Sequence, residues 1–326
     1  MSCKSAVIHL ATAAAVAMAP ASAATQCTAK FMASVDMITL NDGRIAIPVE
    51  VAGHPATFLV SLSNFKGGIS KAFADSLKLP RGLGARGVEL DGTFRYLEAD
   101  VPSFGIGAAK HDRLLSLGYN NRGWTYGDTK VGDVTLDGTL GTQVIVRRLR
   151  YDMDLDFANH KLNLIERTGC ADDELYWHPS DVLKLPVVVT SQISMQGELD
   201  GHHVGVMLNL AMPYSAVPAK FAKAYLGVED GPAGNEKVGQ LAADVPLYAH
   251  QFKTLRIGDA IWEGPKVILL PEPLEDPRLK STLYPGPVLP EMMLGLEELR
   301  RHHVYIDFHH QTIYLAPLTE AARPAN

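Results

Sequence analysis

A few short stretches carry residues whose types and spacing could do chemistry. After the apolar run Phe58-Leu59-Val60 comes Ser61-Leu62-Ser63-Asn64-Phe65-Lys66, a small polar turn at the end of a strand-like segment and a natural place to display a reactive group. Ser63 and Lys66 fit Ser-x-x-Lys, in which a lysine serves a nucleophilic serine. That chemistry requires a helix that brings both side chains to one face, with partner motifs such as Lys-Thr-Gly. Gly67-Gly68 follow at once and disfavour a helix, and no Lys-Thr-Gly occurs, so the stretch reads as a polar loop. The 12 histidines include the pairs His202-His203, His302-His303 and His309-His310. Neighbouring side chains on a strand point to opposite faces, so such pairs are poor chelators. Cys and His at structural-zinc spacing are missing too, and no metal or other cofactor is expected.

Behind these residues stand many short apolar segments separated by Gly, Pro and Asp, such as "RIAIPVEVAG", "ATFLV", "DMDLDF" and "KLNLIE". They read as strands with turns between them. "SKAFADSLKL" and "PAKFAKAYLGV" are the clearest helices, each starting beside Ser or Pro. The fold class expected is mostly β.

The chain has 326 residues, 20% charged, with a net charge of −6 and no basic block to pair with phosphates, which argues against a nucleic-acid partner. Its first residues combine Lys4, an Ala-rich apolar run and Ala21-Ser22-Ala23, the pattern of a secretory signal peptide over 1–23. The expected location is periplasmic or secreted. No other apolar run is long enough to span a membrane. Removal of 1–23 leaves Cys27 and Cys170, which in an exported chain are expected to form one disulfide.

The chain also repeats itself. "GHPATFLVSLSNFKGGISKAFADSLKL" from Gly53 aligns without a gap with "GHHVGVMLNLAMPYSAVPAKFAKAYLG" from Gly201. Ser61 then matches Asn209, Ile69 matches Val217, and Phe73-Ala74 matches Phe221-Ala222. Further on, "TLGTQVIVRRLRYDMDLDFANHKLNLIE" matches "MLGLEELRRHHVYIDFHHQTIYLAP" with a small gap. Similarity at this length scale means two copies of one unit. The boundary falls in the polar stretch "ADDELYWHPSD", giving lobes over 24–172 and 173–326.

Each copy thus reads as strand, Gly-led turn, apolar strand, three-residue polar turn, short helix, long β region, apolar-apolar-Gly and closing hairpin. Over nearly all of 44–317 this resembles the retropepsin-like and pepsin-like aspartic peptidase superfamily, in its two-lobed bacterial exported form. The resemblance implies two tandem β-barrel lobes with a cleft between them. It also implies an Asp-Thr-Gly or Asp-Ser-Gly turn in each lobe. In such a site two close carboxylates share one proton, one acting as base on water while the other polarises the peptide carbonyl.

The sequence departs from that pattern at both turns. The first aspartate position holds Ser61, in Ser61-Leu62-Ser63, and the second holds Asn209, in Asn209-Leu210-Ala211. Neither Ser nor neutral Asn can act as the acid or base. These six residues are expected to line the floor of the cleft. Asp137, before Gly138-Thr139-Leu140-Gly141, is the acid the resemblance brings nearest to it; on local grounds it is a turn aspartate. Asp156 and Asp307 hold like places in the two copies and read as structural, securing the closing hairpins. Arg147-Arg148 and Arg300-Arg301 read as solvated faces. The function expected is that of a non-catalytic binder of an extended peptide or protein segment. An active hydrolase using other residues and a structural envelope protein are the alternatives.

Overall fold

The computed structural model describes residues 28–63, 67–89, 92–113, 115–120, 130–168, 175–177, 179, 181–190, 192–242, 245–271 and 291–318. The expected signal peptide, Lys66 and both Cys27 and Cys170 lie outside the described residues. So does most of the stretch assigned to the lobe boundary.

The structure is mostly β, with two large curled sheets and few short helices, and the two sheets have the same strand order. The first runs Arg81–Glu89, Gly92–Val101, Leu115–Asn120, Gly68–Ile69, Gly138–Leu140, His54–Val60, Ile45–Val51, Phe104–Ile106, Ala109–His111. The second runs Glu236–Ala242, Val245–Gln251, Lys266–Leu270, Ala216–Pro218, Met292–Leu294, His202–Leu208, Ile193–Leu199, Thr254–Ile257, Ala260–Glu263. Ile38–Thr39 joins the first beside Ile45–Val51, and Val188–Val189 joins the second at the matching place.

The match extends to single dihedrals. Each leading hairpin turns through two residues with positive φ, Ala52 and Gly53 (50° and 80°) in one lobe, Asp200 and Gly201 (49° and 81°) in the other. Positive φ at both central residues matches the twist of the flanking strands and fixes their register. Both apolar strands therefore leave their hairpins in phase. The predicted helices are short. Lys71–Ser76 is capped by Ser70, whose side chain accepts the Phe73 N–H at 3.2 Å. Ala219–Phe221 widens into π-helical turns over Ala222–Leu226 and stops at Gly227, φ 69°.

A third sheet binds the lobes together. Its order is Thr28–Asp36, Lys161–Thr168, Asp152–Asp156, then His302–Asp307, Thr312–Pro317, Leu183–Pro186, three strands from each half of the chain. The halves meet in the antiparallel pairs Met153↔Ile306, Asp154↔Tyr305 and Leu155↔Val304. Met153, Leu155, Val304 and Ile306 point to one face, where they belong to a single apolar cluster that runs through both lobes.

The opposite face is polar at its centre yet almost dry. Leu175-Tyr176-Trp177, inside the stretch that reads as a polar boundary, lies over it and is buried. Trp177 stacks on His303 at 4.8 Å, and Tyr176 meets Tyr305 edge-on at 5.8 Å. Beneath them the Asp154 carboxylate bonds His303 and accepts Asn163 Nδ2 at 2.7 Å. Alongside, Arg167 pairs with Asp307 and Asp152, and Tyr305 Oη donates to Asp152 at 2.7 Å. Burial, then repulsion from Asp307, raises the Asp152 pKa above the usual carboxylate range. Burial works against the Arg167 charge, but Tyr305, Asp307 and Asp152 together raise its pKa.

Asp156 and Asp307 secure the two closing hairpins in the same way. Asp156 Oδ1 accepts the Asn159 N–H at 3.0 Å, and Asp307 Oδ1 accepts the His310 N–H at 2.8 Å. The expectation of solvated arginine pairs is half corrected. Arg147 and Arg301 are exposed, but Arg148 and Arg300 are partly buried. The Arg148 Nε and one Arg300 terminal nitrogen are enclosed without a hydrogen-bond partner among the described residues. A sequence of two adjacent arginines does not say which one turns inward.

Replacing Arg167 with Met would leave the buried Asp307 and the half-buried Asp152 carboxylates without their shared cation. The expected loss is about 3–5 kcal/mol, read as a lower urea midpoint with an unchanged slope.

Candidate functional site

The apolar strands His54–Val60 and His202–Leu208 each end in the three-residue turn singled out by the sequence. Each strand is held by a parallel partner that starts beyond a long insertion. Gly138, Thr139 and Leu140 pair with Phe58, Leu59 and Val60, and Met292, Met293 and Leu294 pair with Val206, Met207 and Leu208. Gly138 is required there, because a Cβ on it would lie 2.1 Å from Phe58 Cζ. Past the strand ends, Leu140 O accepts from Ser61 N and Leu62 N at 3.3 and 3.1 Å, and Leu294 O accepts from Asn209 N at 2.9 Å. The two turns therefore rest on equivalent carbonyls.

They also meet. Leu210 N–H of the second turn donates to Ser61 O of the first at 3.0 Å. Gln192 Nε2, from the second half, donates to Ser63 O at 3.2 Å. Ala211 packs into a cluster with Leu40, Ala46, Leu59 and Leu136 of the first lobe. The side chains are enclosed: Ser61, Leu62 and Leu210 have no exposed surface, and Ser63, Asn209 and Ala211 show 6, 7 and 8%. Leu62 and Leu210 belong to the apolar core.

The polar atoms of the turns are used locally. Ser61 Oγ and Ser63 Oγ are hydrogen-bonded at 2.6 Å, and Ser61 Oγ also accepts the Ser63 N–H at 3.4 Å. Asn209 Oδ1 accepts the Ala211 N–H at 3.1 Å, while Asn209 Nδ2 faces Met293 Sδ at 3.7 Å. Ser61 and Asn209 thus play one role, each accepting the amide two residues on, as short polar side chains do in tight turns. The turns differ in backbone. Leu62 has φ 55°, a left-handed conformation rare for a branched side chain, whereas Leu210 does not share it.

Two acids support the turns from behind, each bonded within its own lobe. Asp137 Oδ2 accepts the Thr57 N–H at 3.0 Å, and the Asp137 carbonyl accepts Ser70 N–H at 2.7 Å. It ties the strand before the first turn to the segment after it, and burial raises its pKa. Glu298 is buried, takes a hydrogen bond from Ser215 Oγ at 2.7 Å, and has its pKa pushed up to about 7 by burial. Ser215 Oγ in turn accepts Gly295 N–H at 3.0 Å. By the repeat, Ser215 and Glu298 correspond to Gly67 and Val144, so this acid belongs to the second lobe alone. In the sequence Glu298 passes unremarked; its place just after Leu294-Gly295 is the one signal that could mark it.

Ser63 stands in a bend and its hydroxyl is paired with Ser61. His303 and His310 are bonded to Asp154 and Asp307. Among the described residues no group of three His, Cys, Asp or Glu is placed to hold a metal ion, and no helix is long and apolar enough to cross a membrane.

No family model matches the chain, and no curated protein matches it by sequence. Among solved structures, the crystal structure of basic 7S globulin from soybean superposes with a TM-score of 0.47 at 12% identity. The match covers 92% of this chain and 100% of that one.

Glu298 sets a pH dependence. Its folded pKa of about 7 stands above the ordinary 4.5, so the fold holds a proton that the unfolded chain has released. Stability from this group is fully present below pH 4.5 and is lost as pH rises through 7. Between pH 5 and pH 8 the loss amounts to about 2.5 kcal/mol. Glu298→Gln keeps an acceptor for Ser215 and cannot titrate. Denaturant titrations across that range are expected to show a shallower decline for the variant.

Proposed function

We propose that this chain is an exported, aspartic-peptidase-like protein that binds an extended peptide between its lobes and does not cut it. The observation that carries the reading is the pairing of the two turns. Equivalent strands bring Ser61-Leu62-Ser63 and Asn209-Leu210-Ala211 together through the Leu210–Ser61 hydrogen bond, and neither turn has a carboxylate. The peptidase chemistry needs two acids sharing a proton. Here the hydroxyls and the amide at those places are engaged in holding their own turns. Asp137 and Glu298 stand apart, each committed to a backbone or hydroxyl partner in its lobe. Export is supported by the pattern of residues 1–23, and an extended peptide suits β-rich walls because it can add as a strand.

The experiment is equilibrium dialysis of the purified mature chain against a mixed peptide library, at pH 4 and pH 7, with mass spectrometry of both compartments. Peptides retained intact with the protein are the expected result. New termini suppressed by a statine-type mimic would establish a working peptidase and overturn the reading. A library recovered intact and evenly distributed would remove peptide binding and leave the structural role.

A further inference from the structure

A cavity of 260 Å³ opens at the seam between the lobes, near the polar cluster of the joining sheet. Val146, Arg150, Tyr151 and Asp152 line it from the first half of the chain, and Phe308 and His309 from the second. Its volume lies just under the range usual for small-molecule sites, so it suits a compact ligand. The walls at Val146, Tyr151 and Phe308 are apolar or aromatic.

Charge decides what such a ligand would carry. The Asp152 carboxylate is already occupied: Arg167 Nε stands 3.3 Å from Oδ2, Tyr305 Oη donates to the same oxygen, and Phe308 N–H donates to Oδ1 at 3.0 Å. Arg150 is exposed and has no carboxylate partner among the described residues. His309 beside it is exposed and meets the His310 ring in a T-shaped contact. The charged side chain lining the cavity that makes no ion pair among the described residues is therefore the Arg150 guanidinium, a group well matched to a carboxylate.

The backbone adds a second observation. Arg150 ends the π-helical turns Gln143–Leu149 in the left-handed region, φ 62°, with its N–H on Ile145 O at 2.7 Å. Helices usually end there in glycine, which takes this conformation without strain. A strained residue held by its surroundings marks a place where side-chain function is worth seeking.

We propose that this seam cavity binds a small carboxylic acid with an aromatic or branched body, its carboxylate on Arg150 and its body between Tyr151 and Phe308. The site is separate from the paired turns and does not depend on the peptide-binding reading. A ligand here touches both halves of the chain.

The test is calorimetric titration of the mature chain with benzoate, benzyl alcohol and benzylamine. Benzoate is expected to saturate, with the alcohol and the amine each at least about tenfold weaker, the loss of one charge-assisted contact. Arg150→Gln should weaken benzoate by about tenfold and leave the alcohol unchanged. Val146→Phe, which fills the cavity, should abolish binding of both, and Phe308→Ala, which removes a wall, should weaken both. Thermal melts of each variant check that it remains folded. Benzoate that fails to saturate, an amine that binds more tightly, or binding indifferent to Arg150→Gln would overturn the proposal.

Discussion

Everything in this molecule hangs on three backbone pairs. Met153, Leu155 and Asp154 meet Ile306, Val304 and Tyr305, and that short antiparallel seam turns two three-stranded ribbons into one sheet. Its inner face continues the apolar core of both lobes without a break. Its outer face buries charged groups, which is costly unless every charge has a partner. Arg167 supplies one between Asp152 and Asp307, and His303 supplies another for Asp154. The Arg167–Asp307 and His303–Asp154 contacts join opposite halves of the chain, so the cluster is complete only while the lobes stay joined. The place of the paired turns follows from this rigidity, since the same core carries the strands that present them.

Much of this was legible because the repeat is metrical. Two hairpins of equal length, each turning at a Gly with positive φ, keep every later residue at a constant offset through the turns. Alternation in "DMDLDF" gave the joining strand its two faces, and Ser70 marked the start of the first helix. Each of these is a local signal, carried by a few neighbouring residues.

What stayed hidden is contact between distant segments. Tyr176 and Trp177 stand among four acids and one proline, and composition favours solvent for the whole stretch. Only the aromatic rings hinted that it closes over a sheet in which Thr28–Asp36, His302–Asp307 and Thr312–Pro317 lie more than a hundred residues away. Leu62 in a left-handed turn, the inward arginine of each pair and the Ser215–Glu298 bond are likewise decided by packing across the fold. The apolar strands that lead into the turns are local signals, whereas the enclosure of the turns is not. Ser61 looked displayed, whereas its hydroxyl is folded back onto Ser63.

The seam also bears on how such a chain could have arisen. A single first lobe, standing alone, would expose the open edge of Asp152–Asp156, and its simplest partner is a second copy related by a two-fold axis. Register would then set Asp154 opposite Asp154, where the present chain sets it opposite Tyr305. Facing like charges oppose pairing. The second half provides His303, Tyr305 and Asp307 where the first has Asp152, Asp154 and Asp156. The halves have become complementary rather than identical, so the molecule is in effect an obligate heterodimer whose subunits share one backbone. The linker keeps each at a high effective concentration for the other.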